Sequence, residues 1–298
     1  MGVFLIEISF GPVQGFIAAA RRSRDLWGGS HILSEIAREA GLSLLRNQAS
    51  LVYPLENRVN RNDANDSNLS NVLLAQLNDT HAEAVQQVAL TALKAGRDRL
   101  KKFSADALQE WRQVSGLRHD VWQAQIDDAL ESFAAWSEIV DNNYPDAYKR
   151  LKQAFAARKN TRDFLPSANI VSGIPKSSLD GLRESVFSTD RKLPVKFGVC
   201  QGEQLDALGA IKRFVGKRES FTALTRLAAD PWLRTLKKDD LKKLREAYEP
   251  LVALELATRT RGNENIYNEF PFDASLLYVD RLNNEMGSVE DRDSLGNL

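Results

Sequence analysis

The residues nearest the N-terminus that could do chemistry lie in "SFGPVQGFIAAARRSRDLWGGSHIL", the stretch from Ser9 to Leu33. An apolar run ends at a Gly11-Pro12 turn, and a helical pattern begins directly after it. The backbone N–H groups at the start of a helix can bind a phosphate without any charged side chain. Tight packing of the helix on the strand explains the turn equally well, so both explanations stay open.

Basic residues follow this turn closely, because Arg21, Arg22 and Arg24 lie within the five positions that end at Asp25. Helical spacing would spread these arginines over different faces, so that one or two of them at most could meet a single ligand. A solvated helix face is the usual role of such a cluster. We keep these arginines as secondary candidates for contact with an anionic ligand and expect Asp25 to pair with a nearby arginine.

A second polar cluster lies in "IPKSSLDGLRES", where Lys176 precedes Ser177 and Ser178. Such a group could bind a phosphate or an RNA backbone, and a serine there could equally cap a helix that begins near Leu179. We favour the helix cap for the serines and keep Lys176 as the candidate ligand residue.

Several familiar enzyme motifs are absent from the sequence. There are three histidines, and the dipeptide His119-Asp120 has no accompanying His and Asp motif, so we interpret it as solvated helix surface. No Gly-x-Ser-x-Gly elbow, Walker P-loop or Gly-x-Gly-x-x-Gly fingerprint occurs. A conventional nucleotide hydrolase or dehydrogenase is therefore not expected.

The composition narrows the class of protein further. Lys plus Arg and Asp plus Glu both total 40, so net charge gives no global reason to expect a nucleic-acid or membrane partner. A single cysteine, Cys200, excludes an intrachain disulfide and a zinc site made of a Cys cluster. The start "MGVFLIEIS" lacks the features of a signal peptide, and no apolar run reaches the roughly 18 residues of a membrane span. We expect a cytoplasmic protein without bound zinc.

Hydrophobic periodicity predicts the elements that would position these residues. Val3–Ser9 has the apolar, β-branched pattern of a strand, and helical spacing begins at Pro12. The pair Gly28-Gly29 is expected to divide this region into two helices, with Ser30 as the N-cap of the second.

Further elements alternate along the rest of the chain. Ser50–Pro54 predicts a second strand, and the following Asn- and Asp-rich run predicts an exposed loop. From Thr80 to about Arg158 the pattern is almost wholly helical, "LPVKFGVC" predicts a further strand, and helical patterns resume beyond Gln204. Strands on both sides of a helical block indicate an α+β fold.

The run "ISFGPVQGFIAAARRSRDLWGGSHILSEIAREA" resembles the N-terminal palm region of the large subunit of type III-B CRISPR RNA-guided effector complexes, the Cmr family. Two further blocks are similar to that family in the same order: "RKNTRDF" followed by "SGIPKSSLDGLRESVF", and "GEQLDALGAIKRF" followed by "TRLAADPWL". The resemblance thus covers most of the chain.

The resemblance implies a ferredoxin-like palm with a large helical insertion and a helical C-terminal elaboration. It places palm-like strands within residues 1–75 and 160–200, the insertion at about 80–158 and the helical part at 204–298, as one N-terminal region of the subunit. In the family, binding of target RNA starts synthesis of cyclic oligoadenylate from ATP between two palms. The implied nucleotide contacts are Ser9, Gly11, Pro12, Val13, Gln14 and Lys176, with Arg21, Arg22 and Arg24 as secondary basic candidates.

The sequence departs from the family pattern at the residues that hold metal. The family's Gly-Gly-Asp-Asp motif, which lies in its second palm, does not occur in the 298 residues, nor do the zinc-binding cysteines or an N-terminal His-Asp nuclease domain. Ser9 occupies the position at which an active first palm would place a metal-binding Asp, and a hydroxyl is a poor ligand for Mg²⁺. We therefore expect no catalytic and no metal-binding residue in this chain.

Three hypotheses follow from the resemblance. The first is a noncatalytic palm of an antiviral type III-B effector, which scaffolds the complex and forms one wall of an ATP site whose Mg²⁺ a second palm holds. The second is a truncated two-palm synthase, a nucleotidyltransferase when complete. The third is a protein-interaction module without nucleotide binding. The implied partners are the second palm and the other effector subunits with their guide RNA and target RNA, and no membrane is expected.

Overall fold

The structure is a computed structural model that describes residues 2–60, 69–112, 114, 116–161, 173–188, 199, 202–216, 222, 224–254, 256–260 and 264–278. The chain divides into two compact units, Met1–Lys217 and Arg218–Leu298. No helix in these described ranges combines the length and the apolarity needed to cross a membrane.

A four-stranded antiparallel sheet forms the centre of the first unit. Its strands are β1 (Gly2–Gly11), β2 (Ser50–Tyr53), β3 (Val72–Thr80) and β4 (Glu131–Ile139), in the spatial order β2-β3-β1-β4. The register places Ser9 of β1 between Val72 of β3 and Phe133 of β4.

The helices of the first unit complete a ferredoxin-like arrangement. They are α1 (Val13–Ala18), α2 (Ser23–Arg46), α3 (Glu56–Val59), α4 (Ala82–Trp111), α5 (His119–Asp127), α6 (Tyr144–Asn160) and α7 (Ala207–Gly216). Because α2 connects β1 to β2 and α4 connects β3 towards β4, the chain follows the β-α-β-β-α-β order of that fold. The predicted α+β class with helical elaborations is confirmed.

The two faces of the sheet pack against different helices. Alternate side chains of β1, among them Phe4, Ile6 and Phe10, join a large apolar core with α2, α4 and α7. The intervening Leu5 lies in a smaller cluster with Leu151 and Phe155 of α6. Thus α2 and α4 cover one face, and α6 packs on the other.

The region from residue 80 to 158 differs from the expected helical insertion. Its long helix α4 is the second crossover helix of the sheet fold, and β4 lies inside the region as a full strand against β1. The sequence of β4, "ESFAAWSEI", contains two alanines and two glutamates, which are uncommon in strands. Pairing with β1 outweighs this weak local preference.

The expected strands between residues 160 and 200 are largely untested by the structure. Most of "LPVKFGVC", residues 193–200, lies outside the described residues. The described segment 173–188 consists of turns with isolated bridges, such as the one between Lys176 and Glu184.

The expected break at Gly28-Gly29 is wrong, because α2 runs without interruption from Ser23 to Arg46. A Cβ atom on Gly28 would lie 2.7 Å from the backbone oxygen of Lys212, and one on Gly29 would lie 3.2 Å from the Lys212 side chain. The glycines therefore let α7 approach α2 closely, and Ser30 is an interior residue of the helix rather than its cap.

The second unit is helical around its own small core. It contains α8 (Leu224–Leu233), α9 (Lys238–Ala253), α10 (Asn265–Glu269) and a 3₁₀ helix at Ser275–Leu277. Tyr248, Phe270 and Phe272 pack ring against ring at centroid distances of 4.9 to 5.3 Å. The Arg226 guanidinium is fully buried. It donates to Asp230 and to the backbone oxygens of Ile266, Phe270 and Phe272. The boundary near residue 217 was not predicted from the sequence.

Candidate functional site

The end of strand β1 places Ser9 on the sheet face that α6 covers. Alternation puts its side chain on the side of Leu5, and the side chain of Phe133, directly opposite on β4, packs in the α6 cluster. Ser9 is only 2% exposed. A nucleotide could reach the Ser9 hydroxyl only if the residues packed around it moved.

The turn after Ser9 is more accessible. Pro12 has extended backbone angles and precedes α1, Pro12 and Gln14 are exposed, and Gly11 and Val13 are half-buried. A Cβ atom on Gly11 would meet only the Val13 nitrogen, at 3.8 Å. Close packing of helix on strand therefore does not explain this glycine. The helix that follows has six residues, so its N-terminus offers a weaker anion site than the sequence suggested.

The arginine cluster lies at the start of α2 instead of on α1. Arg22 is the N-cap residue of α2, Arg21 is exposed, and Arg24 is half-buried in the first turn. Burial, followed by the charge of Arg22, lowers the pKa of the Arg24 guanidinium from its usual value. The long helix thus gathers positive charge at its own N-terminal end.

Asp25 pairs with an arginine, as expected, but the partner is remote in sequence. The Arg213 guanidinium of α7 donates to both carboxylate oxygens of Asp25, at 2.8 and 2.9 Å, and both side chains are fully buried. The same guanidinium donates to the two carboxylate oxygens of Glu203, at 3.2 and 3.0 Å. Asp25 therefore links α2 to α7, and one arginine compensates both carboxylates.

Lys212 connects α7 to the segment after the β1–α1 turn, a role that the sequence analysis missed. Its ammonium donates to the backbone oxygen of Phe16, at 2.8 Å, and to that of Ala19. Burial lowers the pKa of Lys212, and the charge of Asp206 partly opposes this effect. A lysine next to an arginine within the otherwise apolar helix "ALGAIKRFVG" was the available signal.

Lys176 lies in the 173–188 segment and is already engaged. Its ammonium donates to the Glu184 carboxylate and, at 3.2 Å, to the backbone oxygen of Leu182. No hydrogen bond joins Lys176 to the β1–α1 turn in the described part of the chain. The hydrogen bonds of this lysine thus stay within its own segment.

The expected helix cap at Ser177 and Ser178 is wrong. The chain forms a turn, without a helix, at residues 178–180. The Ser177 hydroxyl accepts from the Leu179 backbone at 3.4 Å, and the Ser178 hydroxyl accepts from the Gln204 backbone at 2.9 Å. Hydroxyls that bond to nearby backbone groups stabilise turns in the same way as they stabilise helix ends.

The acidic side chain nearest to Ser9 along β1 is Glu7. It is 2% exposed, and one carboxylate oxygen accepts from the Lys152 ammonium of α6 at 2.8 Å, whereas the other has no hydrogen-bond partner. Within the described ranges, no group of three His, Cys, Asp or Glu side chains is arranged to hold a metal ion.

These features define a ferredoxin-like α+β domain with a serine near the end of its first strand. Residues 5–115 match the family model described as "CRISPR-associated protein Cmr2, N-terminal". This part of the chain is therefore similar to the N-terminal region of Cmr2 proteins.

Two solved structures share the fold of this chain. The "Type III-B Cmr-beta Cryo-EM structure of the Apo state" matches 96% of this chain with a TM-score of 0.60 and 12% identity. The "Cryo-EM structure of the Type III-B Cmr-beta bound to cognate target RNA" matches 96% of it with a TM-score of 0.57 and 12% identity. The "Crystal structure of apo Csm1-Csm4 cassette" matches 54% of the chain with 20% identity, and its TM-score of 0.30 establishes no common fold.

The chain spans less than half of the length of the proteins that it resembles. It covers 42% and 43% of the two Cmr-beta chains and 19% of the Csm chain. No curated protein matches the sequence.

Proposed function

We propose that this chain is a noncatalytic palm portion of a type III-B CRISPR antiviral effector large subunit. It scaffolds the complex and forms one wall of an ATP site used for cyclic oligoadenylate synthesis in the cytoplasm. Its partners are a second palm and the other effector subunits with their guide RNA and target RNA. The second palm holds Mg²⁺ against the triphosphate.

The observation that carries the noncatalytic part of the proposal is the residue at the end of β1. Ser9 is a buried hydroxyl between Val72 and Phe133, at the position where an active first palm would place a metal-binding Asp. Phosphoryl transfer in a palm relies on carboxylates that bind divalent cations against the phosphates. A neutral, buried serine at this position supports a palm that does not position metal, and any nucleotide contact then falls to the accessible turn that follows.

The accessible part of the turn supports the nucleotide contact. Gly11 has room for a Cβ that it does not carry, and the exposed Pro12 and Gln14 lie beside it. Close approach of a ligand to the backbone is a common reason for glycine in such a place. The candidate contacts are therefore the backbone of residues 11–14 and the Gln14 amide.

A synthesis assay tests whether the formation of cyclic oligoadenylate requires the second palm. The purified chain, ATP and Mg²⁺ are expected to yield no cyclic oligoadenylate, whereas the effector complex with its second palm yields product when target RNA is added. Product from the chain alone would overturn the noncatalytic assignment.

A protein-interaction module without nucleotide binding is the second candidate, and two observations favour it. Ser9 is inaccessible as the sheet and α6 are packed, and Lys176 is held by Glu184. If this candidate is correct, ATP affinity of the assembled complex will not respond to substitutions in residues 11–14.

A further inference from the structure

The sheet face that carries α6 is only partly covered. The helix packs on β4 and β1, while side chains of β2 and β3 on that face remain accessible. Tyr53 is 54% exposed and lies opposite Leu74, which itself lies opposite Glu7 on the α6 side. Gln76 is half-buried, Asn78 is exposed, and the Gln76 amide donates to the Asn78 side chain at 2.8 Å. We call Tyr53, Leu74, Gln76 and Asn78 the open sheet face.

The flank of α6 borders this open sheet face with an aromatic ring and a cation. The Lys152 ammonium donates to Glu7, and Glu7 lies directly opposite Leu74 in the sheet. The ammonium is therefore at the edge of the open sheet face. The same ammonium lies 5.4 Å from the centre of the Tyr148 ring. Tyr148 is 37% exposed and stacks parallel to Tyr144.

The charge of α6 differs from that of the whole chain. Its sequence "YPDAYKRLKQAFAARKN" contains five basic residues and one acidic residue, Asp146, which is paired with Arg150. Lys149 and Lys159 are exposed. In a chain whose charges balance at 40 of each sign, this helix is a local positive surface.

We propose that the open sheet face and the flank of α6 bind single-stranded nucleic acid. Bases stack on Tyr53 and Tyr148, the amides of Gln76 and Asn78 meet base edges, and the α6 lysines neutralise phosphates. Exposed aromatic rings on a sheet, with amides and cations beside them, are the combination by which single strands are held on four-stranded sheets. Lysine is depleted at protein–protein interfaces, whereas phosphate groups attract it, so the charge of α6 favours nucleic acid. This surface is on the same side of the sheet as Ser9 but contains none of the residues of the β1–α1 turn, and nucleic-acid binding there goes beyond the proposed ATP contact.

Fluorescence anisotropy with a labelled oligouridylate of about 12 nucleotides tests this surface, since a single OB-fold-sized site occupies at most about 16 nucleotides. Tyr53→Ala and Tyr148→Ala are each expected to weaken binding by about 5- to 150-fold, the equivalent of one lost base stack. Tyr53→Phe and Tyr148→Phe keep the ring and are expected to bind within about twofold of the unmodified chain. Substituting both lysines, as Lys149→Ala with Lys159→Ala, is expected to reduce the slope of log binding constant against log salt concentration by about one or two.

Matched controls separate this surface from a general loss of aromatic or basic groups. Trp232→Ala removes a 49% exposed aromatic side chain in the second unit, and Lys94→Ala removes a 75% exposed cation on α4. Both are expected to leave RNA binding unchanged, as is Gly11→Val, which probes the proposed ATP contact alone. Circular dichroism confirms the fold of each variant.

Three results would overturn the proposal. The first is that the unmodified chain fails to bind the oligonucleotide. The second is that the Tyr→Ala variants bind it as tightly as the Tyr→Phe variants. The third is that the Trp232→Ala control loses as much affinity as the Tyr→Ala variants. If the Tyr→Ala variants lose an effector protein and keep RNA binding, the surface is a protein interface.

Discussion

Asp25 and Arg213 lie 188 residues apart in the sequence and form a fully buried, bidentate ion pair. Glu203 shares the same guanidinium, so two carboxylates depend on one cation. Breaking a buried pair costs far more than the pair contributes, because the remaining charge loses its partner in a medium that solvates it poorly. The position of α2, which carries the arginine cluster, therefore depends on α7.

Arg213→Met is expected to destabilise the first unit by about 3–5 kcal/mol, since it leaves Asp25 and Glu203 without their cation. Urea unfolding followed by circular dichroism measures the change. Lys94→Ala breaks the exposed pair of Lys94 with Asp98 and is the matched control, with an expected cost of about 0.3–0.5 kcal/mol. Equal effects of the two substitutions would show that the buried pair does not stabilise the unit.

Gly28→Ala is expected to destabilise the first unit by about 1–3 kcal/mol, because its Cβ would lie 2.7 Å from the Lys212 backbone oxygen and would push α7 away from α2. Gly15→Ala is the control on α1, where a Cβ meets nothing within 4 Å, and a gain of about 0.4–1 kcal/mol is expected. Thermal unfolding of both variants checks the contrast. A neutral Gly28→Ala would rule out close packing as the reason for the glycine.

The Lys176–Glu184 pair gives a pH-dependent prediction. The hydrogen bond from Lys176 lowers the pKa of the Glu184 carboxyl below its usual 4.5, and burial opposes this shift. Because the folded pKa is the lower one, the pair stabilises the fold at neutral pH, and this stabilisation is lost as the pH falls through the folded pKa.

Lys176→Gln removes the cation that produces this shift. The variant is expected to be less stable than the unmodified chain by about 0.5–1 kcal/mol at pH 7, a modest value because the lysine side chain is 47% exposed. Urea midpoints are expected to converge as the pH falls through the lowered pKa of Glu184, because the carboxyl then becomes protonated in both proteins. A difference that stays constant with pH would contradict this role of the pair.

The strongest sequence patterns predicted the first elements of the fold. The apolar, β-branched run at Val3–Ser9 lies inside β1, and the helical spacing of Ile32, Leu33, Ile36 and Ala40 corresponds to buried positions of α2. The α+β class followed from the same patterns. These predictions succeeded because burial of an apolar face determines each element locally.

Other features depend on partners that are remote in the sequence. Gly28-Gly29 has the local pattern of a break, and only the approach of α7 explains why the helix continues. The burial of Ser9 depends on the sheet pairing and on the packing of α6, and the engagement of Lys176 depends on Glu184 across a turn. The candidate turn could thus be recognised from its residue types, whereas the accessibility of each contact required the packed structure.

Titration of ATP into the effector complex assembled with its second palm is the most direct test of the central claim. In Gly11→Val, the fold has room for the new Cβ atom, and the side chain occupies the space where the nucleotide would approach the backbone. Gly15→Ala is the control, because it adds a methyl group four residues further along the chain. If residues 11–14 form a wall of the ATP site, Gly11→Val weakens ATP binding by at least about tenfold, equal to about 1.4 kcal/mol, and Gly15→Ala leaves it unchanged. Unchanged ATP affinity in a complex that assembles normally with Gly11→Val would contradict the claim.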